Sequence, residues 1–504
     1  MGTRIMGTCF AAMGVLLHCA IAMRADAATI TVTNTNDSGA GSLRQVLAGA
    51  NNGETINFAV TGTIMLTSGG LVIDKGVTIA GPGADQLSVN GTQAAFQCVF
   101  SVVSGEAVTI SGLTITNGDG GICNSGATLI VSNCVVSDNA SGGLGSSAFS
   151  NYSGTASLTI ANSTISDNSG PGVINSSHHG PAIPTTVDSI STRRSARERP
   201  EGGGGNASLT IANSIVRDNS GVGVSNGAYA AATTTILNST LTGNSAGPEW
   251  GGGGGISTEG FEGYATVTVS NSTISGNSAY GGGGGIASDA SFLTIINSTI
   301  SGNSGYDGGG IFNIDFTVAT IVNSTISGNS AETTGGGIYN GDSSLHIANS
   351  TISGNSASSG GGIYNNQQQY FTSVVEISNT ILNAGASGEN IFNNGGTVTS
   401  HGYNLSSDDG GGYLTGSGDQ INTDPLLSPL QDNGGPTLTH ALLPGSLAIN
   451  AGDPNFTPPP SYDQRGPDFY RVRDLNIDIG SFEVQAGIGP RQRPTPRPRP
   501  TPPR

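Results

Sequence analysis

The octapeptide Asn-Ser-Thr-Ile-Ser-Gly-Asn-Ser is written four times, opening at Asn271, Asn297, Asn323 and Asn349, so each opening falls 26 residues after the one before. A short apolar run (LTII, ATIV or LHIA) stands ahead of the later copies. Behind each comes a glycine cluster leading into Gly-Gly-Ile and a small or aromatic residue. A unit this short cannot bury a core of its own and must stack on its neighbours. The rest of the chain is then start, continuation, cap or tail of that stack.

The apolar runs have strand length and are rich in β-branched residues. Glycines and Asn-Gly or Asp-Gly pairs punctuate them, and no helical period runs through the repeats. Three short strands per unit, stacked at ~4.8 Å, predict an all-β fold: a right-handed parallel β-helix, the hand following from the crossover rule. About a dozen rungs, from near Leu87 to near Asn394, would make a rod of roughly 55–60 Å. Ile274, Ile300, Ile326 and Ile352 should form one interior column, and Ile286, Ile311, Ile338 and Ile363 another. Asparagine at a turn can bond nearby backbone or its own copy one rung away. The Asn-Ser-Thr triplets also match a glycosylation acceptor, but their recurrence at one place in the coil marks structural asparagines.

Earlier openings are Asn133, Asn162, Asn213 and Asn238. The step from Asn162 to Asn213 is 51 residues, close to two periods, so one rung there is expected to have lost its pattern. The foreign stretch is 176–200, which carries Arg193, Arg194, Arg197 and Arg199. A surface loop, a basic patch and a reading-frame slip all fit it. Before the repeats, Ser42 with Gln45 forms a capping-box pattern, and Leu43, Val46 and Leu47 share one helical face. This predicts an N-terminal helical cap.

Composition narrows the function. The chain of 504 residues is 35% hydrophobic with 81 glycines and a net charge of -17. So acidic a surface argues against nucleic acid as a partner. Residues 1–27 read as a secretory signal, with Arg4, an apolar stretch over 10–22 and an Ala25-Asp26-Ala27 cleavage site between Ala27 and Ala28. Arg24 and Asp26 end the apolar run too soon for a membrane span. Cys98, Cys123 and Cys134 follow the signal. Three cysteines make no disulfide framework, so buried thiols are expected, with one bridged pair as the alternative.

The expected organisation is signal 1–27, cap and first rungs 28–106, repeat helix 107–396 with an irregular insertion at 176–200, a closing module 397–486 and a Pro/Arg tail 487–504. The tail should be extended polyproline II. Its five arginines could contact anionic envelope polymers.

The strand Gly336-Gly337-Ile338-Tyr339-Asn340 is similar to polymorphic outer-membrane-protein repeats, and Ser38-Gly39 with Gly41-Ser42-Leu43-Arg44-Gln45 resembles the N-terminal caps of secreted β-helix proteins. The C-terminal segment resembles the choice-of-anchor Q module. The matching stretches are Asp424-Pro425-Leu426-Leu427, 430–437 (LQDNGGPT), 439–446 (THALLPGS), 448–452 (AINAG), Asp463-Gln464-Arg465-Gly466 and 478–483 (DIGSFE). These resemblances imply export and surface display, with no defined chemistry and no cofactor. The module's relatives usually continue into a sorting or anchoring signal, whereas this chain continues into Pro and Arg.

Parallel β-helices also include pectin lyases and polygalacturonases, so a carbohydrate-active enzyme is the rival reading. Asp408, Asp409 and Asp424, with Asp419, are the candidate carboxylates. The pair Asp408-Asp409 and Asn422-Thr423-Asp424 stand in the reverse of the polygalacturonase order, with no Gly-His-Gly after them. A polyuronate substrate needs cations to hold its carboxylates. Between Glu201 and Gln464 the only Lys or Arg is Arg217. His178-His179 lacks an acidic or Cys partner at ligand spacing, so no metal site is expected. His346 takes a threonine's place on an outward strand position.

Trp250, Tyr306, Tyr339 and Tyr364, with Tyr264, Tyr280 and Tyr370, are candidate exposed aromatics. They suit stacking on glycans or surface proteins, or else stack on one another from rung to rung. The sequence therefore points to an exported, non-catalytic surface β-helix with a binding or adhesive role. The carbohydrate-active enzyme and a structural envelope filament are the alternatives.

Overall fold

Ile274, Ile300, Ile326 and Ile352 are register partners on four successive parallel strands, and each is fully buried. Ile286, Ile311, Ile338 and Ile363 make a second such column. The structure, a computed structural model, describes residues 28–92, 98–103, 105–140, 142–149, 156–178, 205–228, 231–248, 252–260, 264–368, 371–472 and 476–485. The expected signal 1–27, the tail 487–504, His179, the four arginines of the insertion, Trp250 and Tyr370 lie outside these residues.

Three long parallel sheets wind into one solenoid. The first has 14 strands, from Thr29–Val32 to Thr397–Gly402. The second has 13, from Gly62–Met65 to Leu405–Ser406. The third has 12, from Leu71–Ile73 to Ile391–Asn394. Alternation sets the faces: in Asn206–Ala212 the side chains of Ala207, Leu209 and Ile211 are buried while Asn206 and Ser208 are exposed. Burying one aliphatic side chain stabilises by about 1.5–3 kcal/mol, and the columns repeat that gain at every rung. The outer face of the first sheet carries a row of threonines in register: Thr159, Thr210, Thr235, Thr268, Thr294 and Thr320.

Polar ladders close the corners. Asn139, Asn168, Asn219, Asn244, Asn277, Asn303, Asn329 and Asn355 form one buried column. Each side-chain amide donates to the next rung's Oδ1 at 2.8–3.0 Å. The asparagines that open the octapeptide sit in the left-handed region, with φ of 49° at Asn271 and 51° at Asn297, a conformation asparagine tolerates better than most residues. They too form a ladder, Asn323 to Asn297 at 2.7 Å and Asn297 to Asn271 at 3.2 Å. The glycine runs allow backbone to pass close to backbone: a Cβ on Gly309 would stand 2.2 Å from the Ser330 carbonyl oxygen.

The helix Leu43–Gly49 forms where the sequence places it. Ser42 Oγ accepts from Gln45 N, and Leu43, Val46 and Leu47 enter the core. Only half of a capping box is made, since the Ser42 N–H goes to the Gly39 carbonyl.

Four sequence expectations are corrected. The strands on either side of the insertion pair directly, Ala156–Ala161 with Asn206–Ala212 and Thr164–Ser166 with Ile215–Arg217. The 51-residue step is therefore one rung with extra residues, not two rungs. The irregular stretch also begins later than 176, because Ser176 and Ser177 still pair with Gly227 and Ala228. Cys98 and Cys123 are disulfide-bonded across adjacent strands, because a sequence separation of 25 is one rung and brings their Cα atoms to 5.9 Å. Among the described residues only Cys134 is a buried thiol, and burial pushes it up to about 11.

The fourth correction concerns the C-terminal segment. It does not simply close the end of the stack. Tyr413 and Leu414 pack against the main core beyond the last rungs, but the chain after them turns back along the flank and lies on the outer face of the second sheet. Thr299, Thr325 and Thr351, outward residues of that sheet, are buried by it, whereas Thr273 one rung earlier stays partly exposed. Thr299 Oγ1 donates to the Leu438 carbonyl at 2.6 Å, and Ser481 N donates to Thr351 Oγ1 at 3.1 Å. Ser327 Oγ meets His440 Nε2 at 2.8 Å. On the next rungs Ile381 and Leu405 replace the threonines and join Leu442, Ala448, Ile479 and Phe482 in a second, smaller core.

Candidate binding site

The four candidate carboxylates are built into turns. Asp408 accepts from Asn390 N (2.8 Å) and Nδ2 (3.0 Å), Ser406 Oγ (2.7 Å) and Gly410 N (2.9 Å). These hydrogen bonds outweigh its burial and hold the carboxyl below its usual value. Asp419 accepts from Asn404 N and Nδ2, Ser400 Oγ and Gly416 N. Asp409 caps a short 3-10 turn through Gly411 N, and Asp424 accepts from Leu426 N. A general acid needs a raised pKa and a base needs a free lone pair aimed at substrate. Asp408 and Asp419 have backbone and side-chain donors instead, while Asp409 and Asp424 each accept one backbone N–H that braces their turn.

The aromatic candidates divide in three, and the first is Tyr264, which is exposed but packs its ring on Phe292 with centroids 5.1 Å apart. Phe312, Tyr339, Tyr364 and Phe392 are register partners on the third sheet and stack with centroids 4.9, 5.6 and 5.2 Å apart. Each inner ring spends both faces on its neighbours, so Tyr339 is only 5% exposed and Tyr364 half-buried. Asn366 Nδ2 and Gln368 Nε2 donate to the Tyr339 hydroxyl at 2.6 and 2.9 Å. Burial raises the pKa of both tyrosines. The rung-on-rung reading holds for this column, and it offers edges, not faces, to a ligand.

Tyr280 and Tyr306 are different. They are 72% and 50% exposed, and neither takes part in the ring contacts found among the described residues. Tyr280 directly follows, and Tyr306 lies within, strands of a fourth, four-stranded sheet that the sequence does not announce. Its strands are Ser245–Ala246, Ser278–Ala279, Ser304–Asp307 and Ser330–Thr334, set at the corner between the second and third sheets. A trough of about 300 Å³ opens here, lined by Ala279, Ser304, Gly305, Ser330, Ala331 and Glu332. The register explains the arrangement. Ser278, Ser304 and Ser330 align, Gly305 faces Ala331, and a bulge sets Tyr306 opposite both Glu332 and Thr333. Bulges of this kind re-aim side chains. Asp307 stabilises the bulge by accepting from the Thr333 and Thr334 hydroxyls. Glu332 was not singled out in the sequence. Aligning the repeats on Ser278, Ser304 and Ser330 brings it into one column with Tyr280 and Tyr306.

Elsewhere the outer faces carry little chemistry. His346 occupies the threonine row, its partner on one side being Thr320 and on the other Glu376. It is not simply solvated, since its Nδ1 lies 3.0 Å from Glu376 Oε2. A bulge leaves His401 unpaired between Ser400 and Gly402 and brings its Nε2 within 3.4 Å of the same oxygen. Among the described residues no group of His, Cys, Asp and Glu is arranged to hold a metal ion. No helix among them is long and apolar enough to cross a membrane.

The family described as "right handed beta helix region" matches residues 52–262 and 204–369. No curated protein matches the sequence. Among solved structures, the chain is similar to pectate lyase Pel9A, with 13% identity over 91% of this chain and 97% of that one and a TM-score of 0.38. It is also similar to the A-module of the mannuronan C-5 epimerase AlgE4 of Azotobacter vinelandii, with 14% identity, 75% and 91% coverage and a TM-score of 0.36. A third is XylC in complex with xylose, with 10% identity, 81% and 88% coverage and a TM-score of 0.42. None is similar enough to transfer a site or an activity.

Proposed function

From a chain that belongs to the right-handed β-helix family, a fold that hosts many functions, we propose a non-catalytic binding protein, exported and displayed at the cell surface. The observation that carries this reading is the hydrogen bonding of Asp408. Hydrolysis of a glycan needs two carboxylates opposed across the bond to be cut. Asp408 and Asp419 each accept three or more hydrogen bonds from the protein itself, and Asp409 and Asp424 brace turns. The dearth of cations supports the same reading against polyuronate chemistry. Arg217, the only Lys or Arg between Glu201 and Gln464, is paired with Asp218 at 2.6 Å. Export is supported by the signal-like residues 1–27, and display by the resemblance of the C-terminal segment to an anchor-associated module.

Two measurements test the proposal. Purified protein incubated with a panel of acidic and neutral polysaccharides should release no reducing ends and no unsaturated uronate. Release of either refutes a non-catalytic role. Protease treatment of intact cells followed by fractionation should degrade the protein from outside. Full protection would place it inside the envelope and remove the premise of display.

A further inference from the structure

We infer that the trough beside Tyr280 and Tyr306 is a glycan-binding site and that its ligand is a neutral polysaccharide lying along the solenoid axis. The inference rests on the binding role proposed above and gives it a place and a ligand class.

Three properties of the corner point to this chemistry. The first is the pair of free aromatic faces. Tyr280 and Tyr306 follow Ala279 and Gly305 on neighbouring rungs, both well exposed. A tyrosine ring joins an apolar face to a polar hydroxyl, which matches the apolar C–H faces and hydroxyl edges of a sugar ring. The Phe312, Tyr339, Tyr364 and Phe392 column lacks this property because its rings cover one another.

The second is the floor. Small residues lay it flat: Ala279, Gly305 and Ala331 sit on three successive rungs, so the floor runs about 10 Å along the axis at the usual strand spacing. Gly305 has no room for a larger side chain, since a Cβ there would stand 2.9 Å from Gly284 N. The exposed Ser304 and Ser330 hydroxyls offer a donor and acceptor at each step. A periodic ligand suits a periodic floor, and a volume of about 300 Å³ is at the small end of ligand sites.

The third is charge. Glu332 is the one ionisable group among the lining residues, and it is exposed. A carboxylate there accepts hydrogen bonds from sugar hydroxyls and repels a uronate. No Lys or Arg lines the trough to offset it. The ligand class is therefore neutral polysaccharide, with polyuronates disfavoured by Glu332 and by the chain's net charge of -17.

The test is native affinity electrophoresis of the purified full chain in gels containing soluble galactomannan, xyloglucan, dextran or polygalacturonate. At least one of the neutral polymers should retard the wild-type protein, and polygalacturonate should not. Tyr280→Ala with Tyr306→Ala should weaken retardation at least tenfold, while Tyr339→Phe leaves it unchanged. Exposed tyrosines can be removed without loss of folding, and an unchanged far-UV circular dichroism spectrum checks this. Glu332→Gln should relax the rejection of polygalacturonate. Retardation that survives the double tyrosine variant overturns the site and leaves the binding role standing. No retardation by any neutral polymer, or retardation by polygalacturonate alone, overturns the ligand class. Cleavage of a polymer in the gel refutes the non-catalytic role itself, a different outcome from either.

Discussion

Thr325 Oγ1 donates to Gln464 Oε1 at 2.6 Å, across 139 residues of chain. The same amide, through Nε2, donates to Thr299 Oγ1 at 2.9 Å and Thr437 Oγ1 at 3.0 Å. Gln464 is fully buried, so it joins two rungs of the solenoid to the segment that returns along them. The backbone must come close for this: a Cβ on Gly480, at φ 101°, would stand 2.8 Å from Ile381 Cδ1 and 2.9 Å from Thr351 Oγ1.

Gln464→Ala strands several buried polar groups, and each costs about 1–3 kcal/mol. The expected result is that the C-terminal segment leaves the flank while the solenoid stays folded. Limited proteolysis should then cut between residues 415 and 435, leaving a resistant fragment of the rungs. Gly480→Ala should give the same pattern. A variant as resistant as wild type would mean the segment is held without this contact.

Glu483 gives the docked segment a pH dependence. Burial first, and then the neighbouring Asp478 carboxylate, push it from 4.5 up to about 9, despite Arg471 at 3.8 Å. The cluster holds two arginines, Arg465 and Arg471, against three carboxylates, Asp463, Asp478 and Glu483, so one carboxyl keeps its proton. A folded pKa above the unfolded one stabilises fully below about 4.5, and that contribution is lost as pH rises through about 9. His440 works in the opposite sense, because burial lowers its pKa and its contribution is lost as pH falls. The window from about pH 7 to pH 9 therefore separates the buried carboxyls, Glu483 and the Asp478 that burial also raises, from His440. Resistance of the C-terminal segment to proteolysis should fall across that window in wild type and stay level in Glu483→Gln.

The two asparagine ladders should differ in what they contribute. Asn303→Ala removes the acceptor for Asn277 N and Nδ2, both at 3.0 Å, and the donor to the Ile274 carbonyl. All of these are buried, and the loss should be about 3 kcal/mol. Asn238→Ala removes one exposed bond to Asn213 at 3.2 Å and leaves alanine at φ 47°, for about 1 kcal/mol. Urea unfolding of the two variants, monitored by circular dichroism, checks the order.

The solenoid was legible because its period is short and its β-branched positions recur in step, so Ile274 announces Ile300, Ile326 and Ile352. The flank contact was not. Thr273 and Thr299 open the same Thr-Ile-Ser triplet, and what covers one and not the other lies more than 130 residues away at Leu438 and Gln464. The fourth sheet was hidden because Ser-Ala, Ser-Gly-Tyr-Asp and Ser-Ala-Glu-Thr-Thr are short and mix a few strand-favouring residues with Gly, Asp, Glu and Ala, which strands disfavour. They pair only because the longer sheets hold them in register. Tyr306 and Tyr339 look alike in the sequence, yet ring stacking along the third sheet buries the second and leaves the first open. The disulfide needed the knowledge that Cys98 and Cys123 stand one rung apart.

The most direct test of a structural role for the acidic turns is to measure thermal stability and glycan turnover on Asp408→Asn and Asp419→Asn together with wild type. Asn keeps the shape but loses one acceptor oxygen, so Asn390 N, Ser406 Oγ and Gly410 N compete for what remains. A stranded donor costs about 1–3 kcal/mol, so in a chain of this length the midpoint of thermal unfolding should drop by about 1–3 °C in each variant, with no turnover of any polysaccharide before or after the change. A wild-type protein that cleaves a polysaccharide, and an Asp408→Asn variant that keeps its unfolding midpoint while losing that cleavage, would contradict the account.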